Sequence, residues 1–199
     1  MAMELMGMDL AQERLSRDLV VLEAMAAEMD TYLCEEVLFW RMVQPGLPTL
    51  TLGGYLMRQH RLLALRSLLA DEEAPRLETA VAQFNTALHE KVVRTEAKAH
   101  TELAARMRQW DEYLRDAEWR KTPLYLNYGT AVETRAMIAA LVILMQTKPY
   151  QLQPENVGQV SRLDQTLQAM WISGAFVWPE GWQTAYPPAE YWWLYGRPR

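Results

Sequence analysis

Glycine and proline, the two strongest helix breakers, are absent from five long stretches of this chain. They cluster instead in the short segments between those stretches. An uninterrupted stretch of this length favours a helix, so the sequence predicts about five helices. The five stretches are 8–44, 55–74, 76–122, 130–148 and 159–173.

Apolar residues in the first stretch recur at alternating spacings of four and three, the pattern of a coiled-coil seam. Val37 and Trp40 continue the seam after one additional step of four residues. We therefore expect the first helix to run from about Asp9 to Met42, roughly 50 Å at 1.5 Å per residue. The heptad positions are Leu15, Leu19, Leu22, Ala26, Met29 and Leu33.

The third stretch has a more regular pattern, in which apolar residues repeat every eleven positions. This period, about 3.67 residues per turn, predicts a helix that is nearly straight or coils slightly to the right. One continuous helix from Pro75 to about Glu118 would be roughly 65 Å long. Arg106 interrupts the pattern, and the neighbouring Met107 is expected to supply the apolar contact there. The seam consists of Leu77, Val81, Phe84, Leu88, Val92, Thr95, Ala99, Leu103, Arg106, Trp110, Leu114 and Ala117.

The boundaries of the fourth and fifth helices have recognisable chemistry. Residues 130–133 (Thr-Ala-Val-Glu) have the spacing of a capping box, which predicts a helix start at Thr130. An earlier start at residues 122–123 (Thr-Pro), with Gly129 as a kink, is equally compatible with the sequence. Pro149 is expected to end the fourth helix, and the fifth should begin at about Pro154.

Strand signals are nearly absent from the sequence. Residues 47–52 alternate briefly, but Pro48 and the following pair of glycines favour a loop there. The predicted fold class is therefore all-α: an antiparallel helical bundle of about five helices, two of them very long. Residues 1–174 are expected to form the bundle as one domain.

Residues 175–199 differ in composition from the rest of the chain. They are rich in proline and contain four of the eight tryptophans, Trp178, Trp182, Trp192 and Trp193. Flexible tails are poor in aromatic residues, so we expect residues 175–195 to pack on the bundle in the same or a neighbouring subunit. Three interpretations remain: a strap over a groove of its own subunit, a partner-binding arm, or an aromatic platform for a ligand.

Charge argues against a general nucleic-acid binder, because the formal net charge is −5. The second helix is locally basic, through Arg58, His60, Arg61 and Arg66. We expect these residues to pair with acidic residues of the first helix rather than with phosphate. The acidic residues are Glu13, Glu23, Glu28, Glu35 and Glu36.

Several features favour a cytoplasmic location. The single cysteine, Cys34, cannot form an internal disulfide, and its acidic neighbours favour a buried structural thiol over a nucleophile. The longest apolar run, 136–145, has about half of the ~20 residues needed to span a bilayer. The N-terminus lacks the basic and long apolar regions of a signal peptide.

Two groups of residues are candidates for chemistry. Glu96 and His100 share one face of the third helix and would need His60, or ligands from another helix, to complete a metal site. Arg135 lies in an apolar stretch, where we expect a buried ion pair with a carboxylate on the first helix. No nucleotide-binding, serine-hydrolase or dithiol motif occurs, which argues against an enzyme.

The sequence thus favours a non-catalytic binding or scaffold protein that self-associates through its long helices. A protein partner is compatible with this interpretation, and no cofactor is expected. One alternative is a metal-dependent enzyme, or a metal-binding protein, with its site inside the bundle. The other is a carrier of an apolar small molecule, held by an interior rich in methionine and tryptophan.

Overall fold

The computed structural model describes residues 2–119 and 127–199. Helices account for 72% of the structure, which confirms the prediction of a mostly helical protein. A small two-stranded sheet accompanies them. The described residues form six α-helices: α1 (Ala2–Cys34), α2 (Leu52–Ala64), α3 (Glu73–Glu90), α4 (Val92–Trp119), α5 (Tyr128–Gln146) and α6 (Pro154–Ala169).

The heptad seam predicted for the first helix is buried along its whole length from Leu15 to Leu33. The helix ends earlier than predicted, however, at Cys34, and Val37 is 51% exposed. Two cations on α4 explain the stop, since Lys98 and Arg94 donate hydrogen bonds to carbonyl oxygens at and just beyond the end of α1. Cations at a helix C-terminus satisfy carbonyls that have no partner within the helix.

Glu28 stabilises the turn of the chain that follows α1. Its carboxylate accepts a hydrogen bond from Trp40 Nε1 at 2.7 Å and another from the backbone nitrogen of Val43 at 3.0 Å. Cys34 is exposed in this arrangement, so the prediction of a buried thiol was wrong. Cys34 is the last residue of α1, and its thiol lies where the helix ends and the exposed turn begins.

The predicted third helix is divided into α3 and α4 by a break at Lys91. Lys91 leaves helical geometry (φ −126°, ψ 40°), and its ammonium group pairs with Asp30 on α1. The break separates two packing partners, because α3 lies mainly against α1 and α4 mainly against α5. The eleven-residue seam nevertheless stays on the inner face: apart from Val81 and Val92, every seam residue whose side chain is described is buried.

The N-terminus of α2 includes Gly53 and Gly54, which the sequence placed in a loop. Thr51 caps the helix by accepting a hydrogen bond from the nitrogen of Gly54. The fully buried Glu102 accepts another from the nitrogen of Gly53 at 3.1 Å. A Cβ at Gly53 would lie 2.9 Å from Glu102 Oε1 and 3.1 Å from Met137 Cβ, so glycine leaves room here for the carboxylate of α4 and for α5.

Helix α5 begins at Tyr128, with Asn127 as its N-cap and no side-chain capping bond. The capping box predicted at 130–133 is therefore not used. The alternative start at 122–123 lies outside the described residues. Helix α5 ends at Gln146, shortly before Pro149, and α6 begins at Pro154, as predicted.

The small sheet pairs β1 (Trp171–Phe176) with β2 (Tyr195–Pro198) in antiparallel register. Neither strand was predicted. Gly196 makes the close pairing possible, since it adopts a φ of +150° and a Cβ there would lie 2.2 Å from the carbonyl oxygen of Ile172. The sheet joins the C-terminal end of α6 to the end of the chain and thereby encloses the segment between the strands.

One continuous cluster of buried apolar side chains joins the helices to the C-terminal segment. Helix α2 packs against both α1 and α5, and a short 3₁₀ helix (Glu180–Ala185) of the C-terminal segment lies over α1 and α2. This packing places aromatic side chains of the C-terminal segment beside the polar residues of α2.

Among the described residues, one helix has the length and composition needed to cross a membrane. This helix is α5, and 44% of its most apolar window is buried within the fold. Core helices of soluble proteins share these properties, so the length and composition of α5 fit a core helix as well as a membrane-spanning helix.

Candidate functional site

The four tryptophans of the C-terminal segment do not form one surface. Trp182 and Trp193 are buried, whereas Trp178 and Trp192 are half-buried. Trp182 Nε1 donates a hydrogen bond to the carbonyl oxygen of Ala11 at 3.2 Å, and Trp178 Nε1 donates one to that of Gly129 at 2.9 Å. The indoles thus tie the segment to α1 and α5 of the same chain.

A half-open apolar cleft of about 290 Å³ lies between α2, α5 and the C-terminal segment. Leu63 on α2 and Ile143 on α5 are 45% and 52% exposed at its edge. No Asp, Glu, Lys or Arg occurs among the described residues that line it. Its apolar walls include Leu56, Leu63, Ala140, Ile143, Tyr186 and Tyr191.

Two polar side chains of α2, Gln59 and His60, also line the cleft. His60 Nε2 lies 2.8 Å from the carbonyl oxygen of Ala185, so this nitrogen carries a hydrogen and donates it to that oxygen. Gln59 Oε1 is buried and has no hydrogen-bond partner within the described part of the chain. A buried acceptor without a partner costs about 1–3 kcal/mol.

A buried group of charges lies on the neighbouring face of α2. Asp18 of α1 binds two arginines: its Oδ2 lies 2.5 Å from Arg61 Nη1, and its Oδ1 lies 3.3 Å from Arg58 Nε. Arg61 Nε donates a further hydrogen bond to the Tyr186 hydroxyl at 3.2 Å. The cluster therefore joins α1, α2 and the C-terminal segment.

The basic residues of α2 do pair with the first helix, as predicted, but through Asp18 rather than through the glutamates that we considered. Asp18 directly precedes the seam residue Leu19, so its position flanking the packing face is the signal that identifies it. Arg66 instead pairs with Glu78 of α3.

Arg61 is the most deeply buried cation of this cluster, with 3% of its surface exposed. Its guanidinium carbon lies 3.9 Å from the ring centroid of Trp182 and 4.8 Å from that of Trp178. Such cation–π contacts stabilise a desolvated guanidinium. Its Nη2 has no conventional hydrogen-bond partner among the described residues, so the indole rings form its immediate surroundings.

Glu133 of α5 faces the same cluster. Burial raises the pKa of its carboxyl group, and the nearby Arg61 and Arg58 only partly offset the rise. Because the net shift of this pKa is upward, desolvation of the carboxylate outweighs its attraction to the two arginines. Glu133 and Asp18, both acidic and both near Arg61, therefore contribute differently: Asp18 forms the direct ion pairs, while Glu133 is held in a setting that favours its protonated form.

Glu133→Gln is expected to make the protein more stable than the wild type at pH 7–8. A carboxyl group whose pKa is higher in the folded state binds more protons when folded. Its contribution to the free energy of unfolding therefore falls as the pH rises above 4.5, the ordinary pKa of a glutamate. The advantage of the variant should shrink as the pH is lowered towards 4.5. Thermal unfolding at several pH values, with the exposed Glu112→Gln as control, measures this. A destabilised variant at pH 8 would contradict the expectation.

Arg135 forms the buried ion pair predicted for it, but with a different helix. Its Nε and Nη2 each donate a 2.8 Å hydrogen bond to the carboxylate of Asp164 on α6. The predicted partner on the first helix was wrong, because α5 presents Arg135 towards α6 and Trp193, whose ring centroid lies 5.1 Å from the guanidinium. The bidentate geometry satisfies the charge and makes this a structural pair.

The three predicted metal ligands do not come together. His100 Nε2 and Glu96 Oε1 contact the backbone of Gln151, at 3.1 and 3.0 Å, while His60 faces the C-terminal segment. Within residues 2–119 and 127–199, no three His, Cys, Asp or Glu side chains are grouped so as to hold a metal ion. Glu96 and His100 do share a face, as predicted, but they anchor the connection between α5 and α6.

Sequence reasoning singled out His60 as a metal ligand and Glu133 as part of a helix cap, and it did not single out Gln59. No sequence signal marks Gln59, since a glutamine on a helix is ordinary and its loss of partners depends on tertiary packing. Comparison of the chain with protein-family models, with curated proteins and with solved structures finds no match.

Proposed function

We propose that the protein is a non-catalytic binding protein, built as an antiparallel helical bundle, that carries an apolar small molecule in the cleft between α2 and α5. The apolar cleft is the observation that carries this proposal. Its volume of about 290 Å³ lies just below the range of small-molecule sites, roughly 300–1,000 Å³, so it suits a small ligand. A ligand there would cover Leu63 and Ile143, which otherwise expose apolar surface to water.

The chemistry of the lining favours binding over catalysis. Burial raises the pKa of Tyr191 to about 12 and also raises that of Tyr186, so both phenols stay neutral near pH 7. The ring of His60 is oriented by the carbonyl oxygen of Ala185. The described lining has no serine, cysteine, lysine or carboxylate to act as a nucleophile.

Ala140→Phe should fill the cleft and abolish binding of an apolar probe. Ala140 lines the cleft on α5, whereas Ala64 is exposed on α2 and does not line it. We expect the fluorescence enhancement of N-phenyl-1-naphthylamine, a neutral apolar dye, to saturate with the wild type and with Ala64→Phe. Ala140→Phe should weaken the dissociation constant at least about tenfold, equivalent to about 1.4 kcal/mol. Equal binding by all three proteins would rule out the cleft as the site.

Self-association is the second candidate, favoured by the exposed Leu63 and Ile143 on adjacent helices. A second copy seated on this face would bury the same apolar surface that a ligand covers. In that case light scattering should report a multiple of 23.1 kDa, and Ile143→Glu should return the mass to that of one chain. A wild type that is already monomeric at micromolar concentration would contradict self-association and leave the ligand proposal in place.

A further inference from the structure

The described lining of the cleft has no carboxylate, lysine or arginine, and this restricts its ligand. The buried Arg61 of α2 lines the neighbouring pocket instead. A charged head group bound in the cleft would lose its hydration without gaining an opposite charge. A neutral ligand avoids this penalty.

The lining of the cleft contains one buried acceptor that lacks a donor among the described residues. This acceptor is Oε1 of Gln59. The terminal amide torsion of a glutamine is soft, so a small rotation turns Oε1 towards the cleft. A ligand that provides a hydrogen-bond donor would satisfy this oxygen, whereas a ligand with only acceptors would leave it without a donor.

The geometry points to a neutral amphiphile as the ligand: an apolar chain with one hydroxyl or amide N–H donor, which binds Gln59 Oε1. This inference rests on the proposed carrier function and adds to it the chemical class of the ligand. The apolar chain would lie between Leu56, Leu63, Ala140 and Ile143. A carboxylate of the same chain length is expected to bind poorly.

Displacement of N-phenyl-1-naphthylamine tests the inference with three probes that share a chain of ten carbons. 1-Decanol has a donor and is neutral, methyl decanoate is neutral without a donor, and decanoate is charged without a donor. We expect 1-decanol to displace the dye at a concentration roughly tenfold lower than methyl decanoate, the factor expected for one buried hydrogen bond. Decanoate should be the weakest of the three.

Gln59→Met separates the contribution of the amide from that of the apolar walls. The variant keeps the length of the side chain and removes the acceptor, so the preference for 1-decanol over methyl decanoate should disappear after correction for the affinity of the dye. Removing a buried acceptor without a partner should also raise the Tm of the unliganded protein by roughly 2–4 °C. Gln12→Met, the same change at an exposed position of α1, should alter neither quantity.

The outcomes distinguish this inference from the function on which it rests. Stronger or equal displacement by methyl decanoate or decanoate would overturn the donor requirement while leaving the cleft as an apolar site. A preference for 1-decanol that persists in Gln59→Met would also overturn the assignment to Gln59. If none of the probes displaces the dye and Ala140→Phe binds it normally, the proposed carrier function itself fails.

Discussion

Asp18→Asn should lower the free energy of unfolding by about 3–5 kcal/mol, because the substitution leaves two buried cations without their counter-charge. Arg61 is 3% exposed and Arg58 is largely buried, and both bind the Asp18 carboxylate. The cation–π contacts of Arg61 with Trp182 and Trp178 would remain, but they replace only part of an ionic interaction. Urea denaturation monitored by far-UV circular dichroism measures the change.

Glu13→Gln is the matched control on the same helix. Glu13 pairs with Arg17 at 3.3 Å, and both side chains are mostly exposed, so the change should cost well under about 1 kcal/mol. If Asp18→Asn proves as mild as Glu13→Gln, the cluster around Arg61 is hydrated in solution and does not hold the C-terminal segment on α2. High salt should distinguish the two pairs as well, since it screens the exposed pair more than the buried one.

The sequence predicted the inner faces of the helices more accurately than their ends. Leu15, Leu22 and Met29 are buried because their spacing places them on one side of any helix, wherever that helix stops. The break at Lys91 lies instead where the packing partner changes from α1 to α5, and Lys91 pairs there with Asp30, sixty-one residues earlier in the chain. No local propensity marks such a break, since neither glycine nor proline is involved.

The same distinction explains which site residues were found. Arg135 was identified as half of a buried ion pair because a charge in an apolar helix needs a partner, but the partner, Asp164, follows from how α6 packs on the other helices. An apolar pocket was among the alternatives, with an interior rich in methionine and tryptophan, but the position and lining of the cleft were not predicted. It forms where α2, α5 and Tyr191 of the C-terminal segment meet, and these elements are far apart in sequence.

The β strands were missed for a related reason. Residues 171–176 include Gly174, and β2 ends in a proline, so neither strand has a strong strand signature of its own. The pairing depends on the chain returning from Phe176 to Tyr195 after the aromatic segment packs on the helices. The sheet is therefore a consequence of that packing.

Packing of the aromatic segment on the helices depends strongly on Trp193. Its side chain is 1% exposed and lies beside the guanidinium of Arg135, and its carbonyl oxygen accepts a 2.6 Å hydrogen bond from the Tyr128 hydroxyl. Trp192, the preceding residue, is half-buried and meets Trp171 edge-on at 5.3 Å. The two adjacent tryptophans provide a matched pair with different burial.

Trp193→Ala is expected to destabilise the protein by about 3–5 kcal/mol, through the cavity that it leaves and the lost contact with Arg135. Trp192→Ala should cost about 1–2 kcal/mol, because much of its ring already contacts water and mainly an edge-to-face contact is lost. Urea unfolding of both variants measures the difference, and near-UV circular dichroism should show a larger loss of aromatic signal for Trp193→Ala. If both variants unfold like the wild type, residues 175–195 do not pack on the helices in solution. The segment would then be an arm that is free to bind a partner, and the cleft would lose the wall that Tyr186 and Tyr191 provide.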